Sequence, residues 1–242
     1  MKTTTDVVII GGGIMGTSTA FRLAERGLKV TLVEKSYLAS GTTGKSSAIV
    51  RQHYSNEITA RMALYSLRIF QNFADIVGGD CDFRPVGFVA LAAAKDAEGL
   101  RANVVLQQSV GINTRLLSPE ELCEIAPGMA DGDSVAAAYE PEGGYADAPA
   151  TTNAFGEAAR RLGAIILQET EVIGIKLERG RVQSVVTNRG EISARAVVNT
   201  AGPWGARLAR MAGIDLPIQP CRVQVSLFTP PPDGSLAPHV FA

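Results

Sequence analysis

The chain is poor in the residues that build metal centres and covalent frameworks. Its 242 residues include two histidines, His53 and His239, and three cysteines, Cys81, Cys123 and Cys221. Two histidines are too few for most His-rich metal sites, so no metal is expected. Three widely spaced cysteines give neither a disulfide framework nor a zinc pattern; they fit a reducing cytoplasm, the expected location. An excess of one charge is also missing. There are 23 Lys+Arg against 24 Asp+Glu, a net charge of −1, and no run of three basic residues. Nucleic-acid binders usually show a basic excess, so nucleic acid is not expected as a partner. No apolar stretch reaches the length of a membrane span. The start, MKTTTDVVIIGGG, has one lysine and a four-residue apolar run, too short for a signal-peptide core. What is present is a composition 46% hydrophobic and 19% charged, with 25 glycines. That composition supports a folded core. The glycines point to tight turns or close backbone approach.

The first 34 residues carry the clearest local signals. Asp6–Ile10 is a short apolar β-branched run ending at glycines, the pattern of a buried parallel strand. Ile14–Arg26 reads as a helix stopped by Gly27, and Lys29–Val33 as a second buried strand ending at Glu34. Together they form a βαβ unit. A polar, Gly- and Ser/Thr-rich loop follows over Ser36–Ser47. From Asn56 to Val77, apolar residues at Ile58, Met62, Tyr65, Ile69, Phe73 and Ile76 recur every three or four positions, predicting an amphipathic helix. From Asp82 the texture changes to a strand (Val86–Ala92), a helix (Asp96–Val110), a short helix after Ser118 and a strand (Val135–Tyr139). Ser118 with Glu121 reads as a capping box. Asp147–Leu162 is the next helix. Strands follow over Ile165–Gln168, Val172–Leu177, Arg181–Thr187 and Ala196–Asn199, then a helix over Trp204–Ala212. The block from Asp82 reads as a separate lobe, and Pro217–Phe228 as a strand returning to it.

Gly11-Gly12-Gly13-Ile14-Met15-Gly16 contains GxGxxG directly between a strand and a helix, and Glu34 ends the next strand. That context is what a dinucleotide fingerprint requires. Gly11 permits the turn, Gly13 lets the backbone approach a pyrophosphate, and Gly16 lets the helix lie close on the strand. Ile14 and Met15 occupy the helix opening, whose N–H groups favour an anion. Glu34 suits ribose hydroxyls and disfavours NADP, but the fingerprint does not separate FAD from NAD. The segment Ala39–Ser47 resembles a Walker A loop in ending Gly44-Lys45-Ser46, yet Ala39 stands where that loop needs glycine and no helix start follows. It reads instead as a cofactor-facing loop with Lys45 near the diphosphate. Arg51 follows that loop and precedes a long helix, a placement suited to pairing with a carboxylate in a cleft. Tyr54 either lines the same cleft or packs. His53 reads as a polar neighbour, and no residue is assigned as catalytic. In the segment Ala196–Gly205, a strand runs into Ala201-Gly202, where backbone can touch a cofactor.

Taken in order, VVIIGGGIMG with Glu34, GTTGKSSAIVRQHY, GGYADAPATTNAFGEAARRLGA, VVNTAGPWG and LPIQPCRVQVSLF resemble the D-amino-acid oxidase, glycine oxidase and sarcosine oxidase superfamily, with the sarcosine oxidase β-subunit-like members nearest. The resemblance spans the whole chain. It implies an α/β fold with a discontinuous Rossmann-like FAD domain (residues 1–81 and 145–216) and a mixed-sheet substrate lobe (82–144 and 217–242). The family continues past residue 242, so that lobe is expected to be incomplete and the chain to need a second subunit or a missing C-terminal half. The resemblance also implies non-covalent FAD, since Gly41-Thr42-Thr43 is followed by Gly44-Lys45 rather than by the Trp-His of covalent relatives. Gly11, Gly13, Gly16 and Glu34 would bind the ADP half. Lys35, Thr43, Gly44, Ser46, Ser47 and Ala48 would lie along the cofactor, with Val172 at the adenine. Ala201, Gly202 and Trp204 would lie near it. Arg51 matches the arginine that holds the substrate carboxylate. The implied chemistry is hydride transfer from the carbon beside the amine of a small secondary or tertiary amino acid (sarcosine, dimethylglycine or glycine type) to flavin, giving an imine that hydrolyses. The alternatives are a flavin dehydrogenase for hydroxy acids or glycerol phosphate, and an inactive FAD-binding remnant or split subunit.

Overall fold

The computed structural model describes residues 3–126, 134–226, 229 and 240–241. The chain divides into two compact units. The first comprises 1–46, 77–81 and 148–225; the second comprises 47–76, 82–147 and 226–242.

The first unit is built on a six-stranded sheet. In spatial order its strands are Ile165–Leu167, Val30–Val33, Thr3–Ile10, Gly190–Asn199, Arg181–Thr187 and Val172–Glu178. The first four run parallel, and the last two are added antiparallel. Val30–Val33 is buried at every position, which requires both faces of the sheet to be covered. Val8, Ile10, Val33, Val185, Ile192 and Leu208 form one core cluster. The helix Ile14–Glu25 buries Gly16, Thr17, Ala20, Phe21 and Ala24, a stripe at helical spacing. It packs against the helix Ala148–Arg161, where the Phe21 and Phe155 rings lie 5.7 Å apart.

The second unit holds a four-stranded sheet of Val240–Phe241, Phe88–Ala93, Ser134–Glu140 and Arg115–Leu117, in that order. The register sets Phe88 opposite Glu140 and Ala90 opposite Ala138. Alternation sends Phe88, Ala90 and Ala92 to one face with Leu100 and Val104 of the helix Ala97–Ser109. Val89 and Ala137 go to the other face, with Leu122 and Ala126. The capping box predicted at Ser118 is present, with Ser118 and Glu121 satisfying each other's backbone N–H groups. A short ladder pairs Ile49–Val50 with Gly144–Tyr145. Among the described residues no helix is long and apolar enough to cross a membrane.

Three sequence expectations change. The helix predicted from Asn56 to Val77 is split into Glu57–Gln71 and Phe73–Ile76. The first part of its predicted apolar face is outward, with Ile58 74%, Met62 62% and Tyr65 60% exposed, while Phe73 of that face is buried, as are Ala60 and Leu67. Periodicity finds a helix and its apolar stripe, but the neighbouring elements decide which stripe is covered. The strand predicted over Pro217–Phe228 is absent over residues 217–226; Leu227 and Phe228 lie outside the described residues. Pro217 and Pro220 supply no ladder donors, and this stretch has no β partner among the described residues. The last strand of the parallel sheet is longer than expected, Gly190–Asn199 rather than Ala196–Asn199.

Candidate functional site

Within the first unit, the parallel strands end at a cavity of about 480 Å³. Its floor is the glycine turn. Gly11 has φ +117°, a conformation that favours glycine. A Cβ there would stand 2.5 Å from the Thr200 carbonyl oxygen. The cause is the pairing of Thr3–Ile10 with Gly190–Asn199, which leads to Thr200 donating to the Ile10 carbonyl at 3.0 Å. A Cβ on Gly16 would lie 1.9 Å from the Gly11 carbonyl oxygen, so only glycine lets the helix sit this close to the turn. A Cβ on Gly13 would meet the Thr43 hydroxyl at 2.8 Å. That hydroxyl accepts the Ile14 N–H at 3.2 Å, at the helix opening.

Glu34 is held by this loop system. Its Oε2 accepts the Gly12 N–H at 2.7 Å, and its Oε1 accepts the Ser36 N–H at 2.9 Å and the Ser40 hydroxyl at 3.4 Å. A carboxylate oxygen takes two hydrogen bonds, so Oε2 retains acceptor capacity toward the cavity that Glu34 lines. The segment after Leu167 is stitched to the same place. Glu34 N–H donates to Leu167, Thr170 N–H to Glu34 and Glu169 N–H to Ser36. These bonds carry Thr170, Glu171 and Val172 into the wall. The opposite wall is Ala201–Trp204 with Arg207. The Lys35 ammonium stands 4.3 Å from the Trp204 ring centroid, a cation–π contact. Lys35, Lys45 and Arg207 are the cationic lining residues, and Glu34 and Glu171 the acidic ones.

Of the residues expected at the cofactor, the cavity brings together Gly11, Gly13, Met15, Glu34, Lys35, Thr43 and Lys45 with Val172, Ala201, Gly202 and Trp204. Gly16, Ile14, Gly44 and Ser46 are in the same unit but outside the lining. Gly44 instead closes its own loop: its N–H donates to Ala39 at 3.0 Å, and a Cβ would meet that carbonyl oxygen at 2.3 Å. Ala39 itself has φ +63°, and Thr43–Lys45 is a single 3₁₀ turn followed by the strand Ile49–Val50. A phosphate loop running into a helix is therefore not what this segment forms. Ser47 and Ala48 belong to the second unit, where Ala48 (φ +51°) accepts the Ala146 N–H. Sequence reasoning missed Thr170, Glu171, Thr200, Arg207 and Met211. Arg207 stands one helical turn after Trp204, a legible signal once the Ala201–Trp204 turn is taken as lining.

In the second unit, the Arg51 guanidinium lies 5.3 Å from the Tyr54 ring centroid and 5.6 Å from that of Phe88. Arg51 is exposed, and Tyr54 is 37% exposed. Gln52 between them is fully buried, and His53 Nδ1 stands 3.5 Å from Glu140 Oε1. Among the described residues there is no cluster of His, Cys, Asp and Glu that could hold a metal.

A family model for FAD dependent oxidoreductases matches residues 6–241, nearly the whole chain. The chain belongs to the FAD-dependent oxidoreductase family. It is 32% identical over 240 residues to the sarcosine oxidase subunit beta of Arthrobacter sp., covering 95% of this chain and 59% of that protein. It is 30% identical over 224 residues to the mitochondrial pyruvate dehydrogenase phosphatase regulatory subunit of Mus musculus, covering 89% of this chain and 25% of that protein. It is also similar in fold to the crystal structure of L-proline dehydrogenase from P. horikoshii, with a TM-score of 0.82 and 32% identity over 88% of this chain and 57% of that one. The chain thus spans between a quarter and three fifths of these relatives' lengths. The cavity fits the family's cofactor: it joins a glycine floor that a Cβ would fill, a carboxylate with acceptor capacity left on Oε2 and three cations. FAD-dependent chemistry, with an α/β fold, is what the sequence resemblance had implied.

Proposed function

We propose that this chain forms the FAD-holding part and the start of the substrate lobe of an amino-acid oxidoreductase acting on a small secondary or tertiary amino acid. The observation that carries the reading is the fingerprint cavity, in which Glu34, locked by Gly12 and Ser36, faces the glycine floor. Glu34 Oε2 takes a ribose hydroxyl, and Lys45 and Arg207 face the diphosphate. The wall at Val172 receives the adenine. When bound, FAD would supply the acceptor for the hydride lost from the carbon beside the substrate amine, leaving an imine that water would hydrolyse. Arg51, with Tyr54 beneath it, holds the substrate carboxylate by a bidentate pair. The names of the relatives, a sarcosine oxidase subunit and an L-proline dehydrogenase, support a secondary amine as substrate. The word subunit in the name of the sarcosine oxidase relative supports a partner chain. The assignment of the two units to cofactor and substrate, and a reducing cytoplasmic setting, belong to the same proposal.

The test is direct. Purified protein should carry a yellow chromophore that acid releases. Its flavin should bleach anaerobically with sarcosine, dimethylglycine or glycine. Colourless protein that binds NADH instead would refute the cofactor reading. A second reading, a flavin-holding regulatory portion, is favoured by the similarity to the phosphatase regulatory subunit. It predicts bound FAD that none of these amines reduces.

A further inference from the structure

We propose that Glu140 is a positioning residue that clamps the Arg51–Tyr54 loop, so that Arg51 is presented to a ligand carboxylate; this rests on the reading of Arg51 given above. Residues 51–54 have no helical or strand structure, so their backbone groups need partners from elsewhere. Two buried side chains provide them. Glu140 Oε2 accepts the Gln52 N–H at 2.7 Å across 88 positions of sequence. Gln107 donates its side-chain amide to the Tyr54 carbonyl at 3.1 Å. On the other side of Arg51, Val50 is held in the ladder with Gly144. Arg51 is therefore flanked by two anchored residues.

The sheet explains why one residue does this. Glu140 and Phe88 are cross-strand partners, and such pairs project to the same face. One strand pair thus supplies both the ring near the Arg51 guanidinium and the carboxylate that takes the next residue's N–H. Glu140 is completely buried, and the His53 ring stands 3.5 Å from its other oxygen. A buried carboxylate is a poor device for stability alone, because a hydrophobic residue of similar volume often serves as well. Here its distinctive work is directional: it fixes one backbone N–H beside the guanidinium-bearing residue.

Hydrogen exchange of the Arg51–Tyr54 peptide in the FAD-loaded protein tests the clamp. Acetate and dimethylamine, titrated against the flavin spectrum, test its consequence. Glu140→Leu should speed exchange of the Gln52 amide about tenfold or more and weaken acetate binding about tenfold, while dimethylamine, which has no carboxylate, binds as before. Glu140→Gln keeps an acceptor for the Gln52 N–H and should lose less on both counts; it also serves if the leucine variant does not fold. In the Arg51→Ala background, Glu140→Leu should add nothing to the loss of acetate affinity. Unchanged exchange in both Glu140 variants overturns the clamp. Faster exchange with unchanged acetate affinity, where Arg51→Ala does weaken acetate, overturns the positioning role. Equal losses for acetate and dimethylamine also overturn it. If Arg51→Ala leaves acetate binding unchanged, the Arg51 reading fails, and the exchange measurement still decides the clamp on its own.

Discussion

Replacing Gly16 by alanine is the sharpest single test of the cofactor floor. The added Cβ would stand 1.9 Å from the Gly11 carbonyl oxygen and 3.0 Å from the Thr200 hydroxyl. Contacts under 3.0 Å are not sustained by real Cβ atoms, and the first obstacle is backbone rather than the end of a flexible side chain. The helix Ile14–Glu25 must therefore move off the turn by about an ångström or more, against its packing on the helix Ala148–Arg161. Overpacking of this kind costs about 1–3 kcal/mol. The same displacement moves the Gly12, Gly13 and Ile14 N–H groups, so FAD affinity should fall as well as stability. Gly99→Ala is the control: it lies in a helix with nothing within 4 Å of the new Cβ. It should be neutral or stabilise by up to about 1 kcal/mol. Urea unfolding of the two variants measures the first effect. Trp204, the single tryptophan and a residue of the cavity wall, reports the second through quenching of its emission as FAD is added. A Gly16→Ala protein within about 0.5 kcal/mol of wild type and with unchanged FAD affinity would refute the close-packed floor, since that range is expected of innocuous surface changes.

Glu34→Ala should weaken FAD binding by about 1.5–3 kcal/mol, the worth of a hydrogen bond to a charged group. It should also loosen the Gly12 and Ser36 amides, seen as faster exchange in the apoprotein. In the wild type, FAD should quench Trp204 emission saturably; emission indifferent to bound FAD would place the cofactor elsewhere. Arg51→Lys should restore only part of the acetate affinity lost in Arg51→Ala, because an ammonium lacks the planar fork of the guanidinium. The Ser118 backbone N–H and the Arg115 guanidinium hold the exposed Glu121 carboxyl below its ordinary value. Its contribution to helix capping is thus complete above that value and lost as pH falls through the lowered one. The melting-temperature difference between wild type and Glu121→Gln should accordingly be largest near neutrality and close as the pH drops; a difference independent of pH would sink this reading of the cap.

Local chemistry was enough to expose the elements that start the fold. The run DVVII, the glycine turn and Glu34 lie within 30 residues, and each states its role through side-chain type and spacing. A parallel strand covered on both faces is nearly continuously apolar, a tight turn needs glycine, and a capping box needs Ser118 and Glu121 three apart. Tertiary structure decided what depends on partners distant in sequence. The strand Gly190–Asn199 lies beside Thr3–Ile10 through a ladder that no short window reveals, and that ladder puts Thr200 against Gly11. Thr170 and Glu171 reach the cavity only because the backbone after Leu167 bonds to Glu34 and Ser36. The helix Glu57–Gln71 was legible, but not the face it buries, since Ala60 and Leu67 go inward while Ile58 and Met62 stay exposed. Glu140 gave no sign in the sequence of its bond to Gln52, because a carboxylate's partner is set by strand register, and register is settled by packing across the whole sheet.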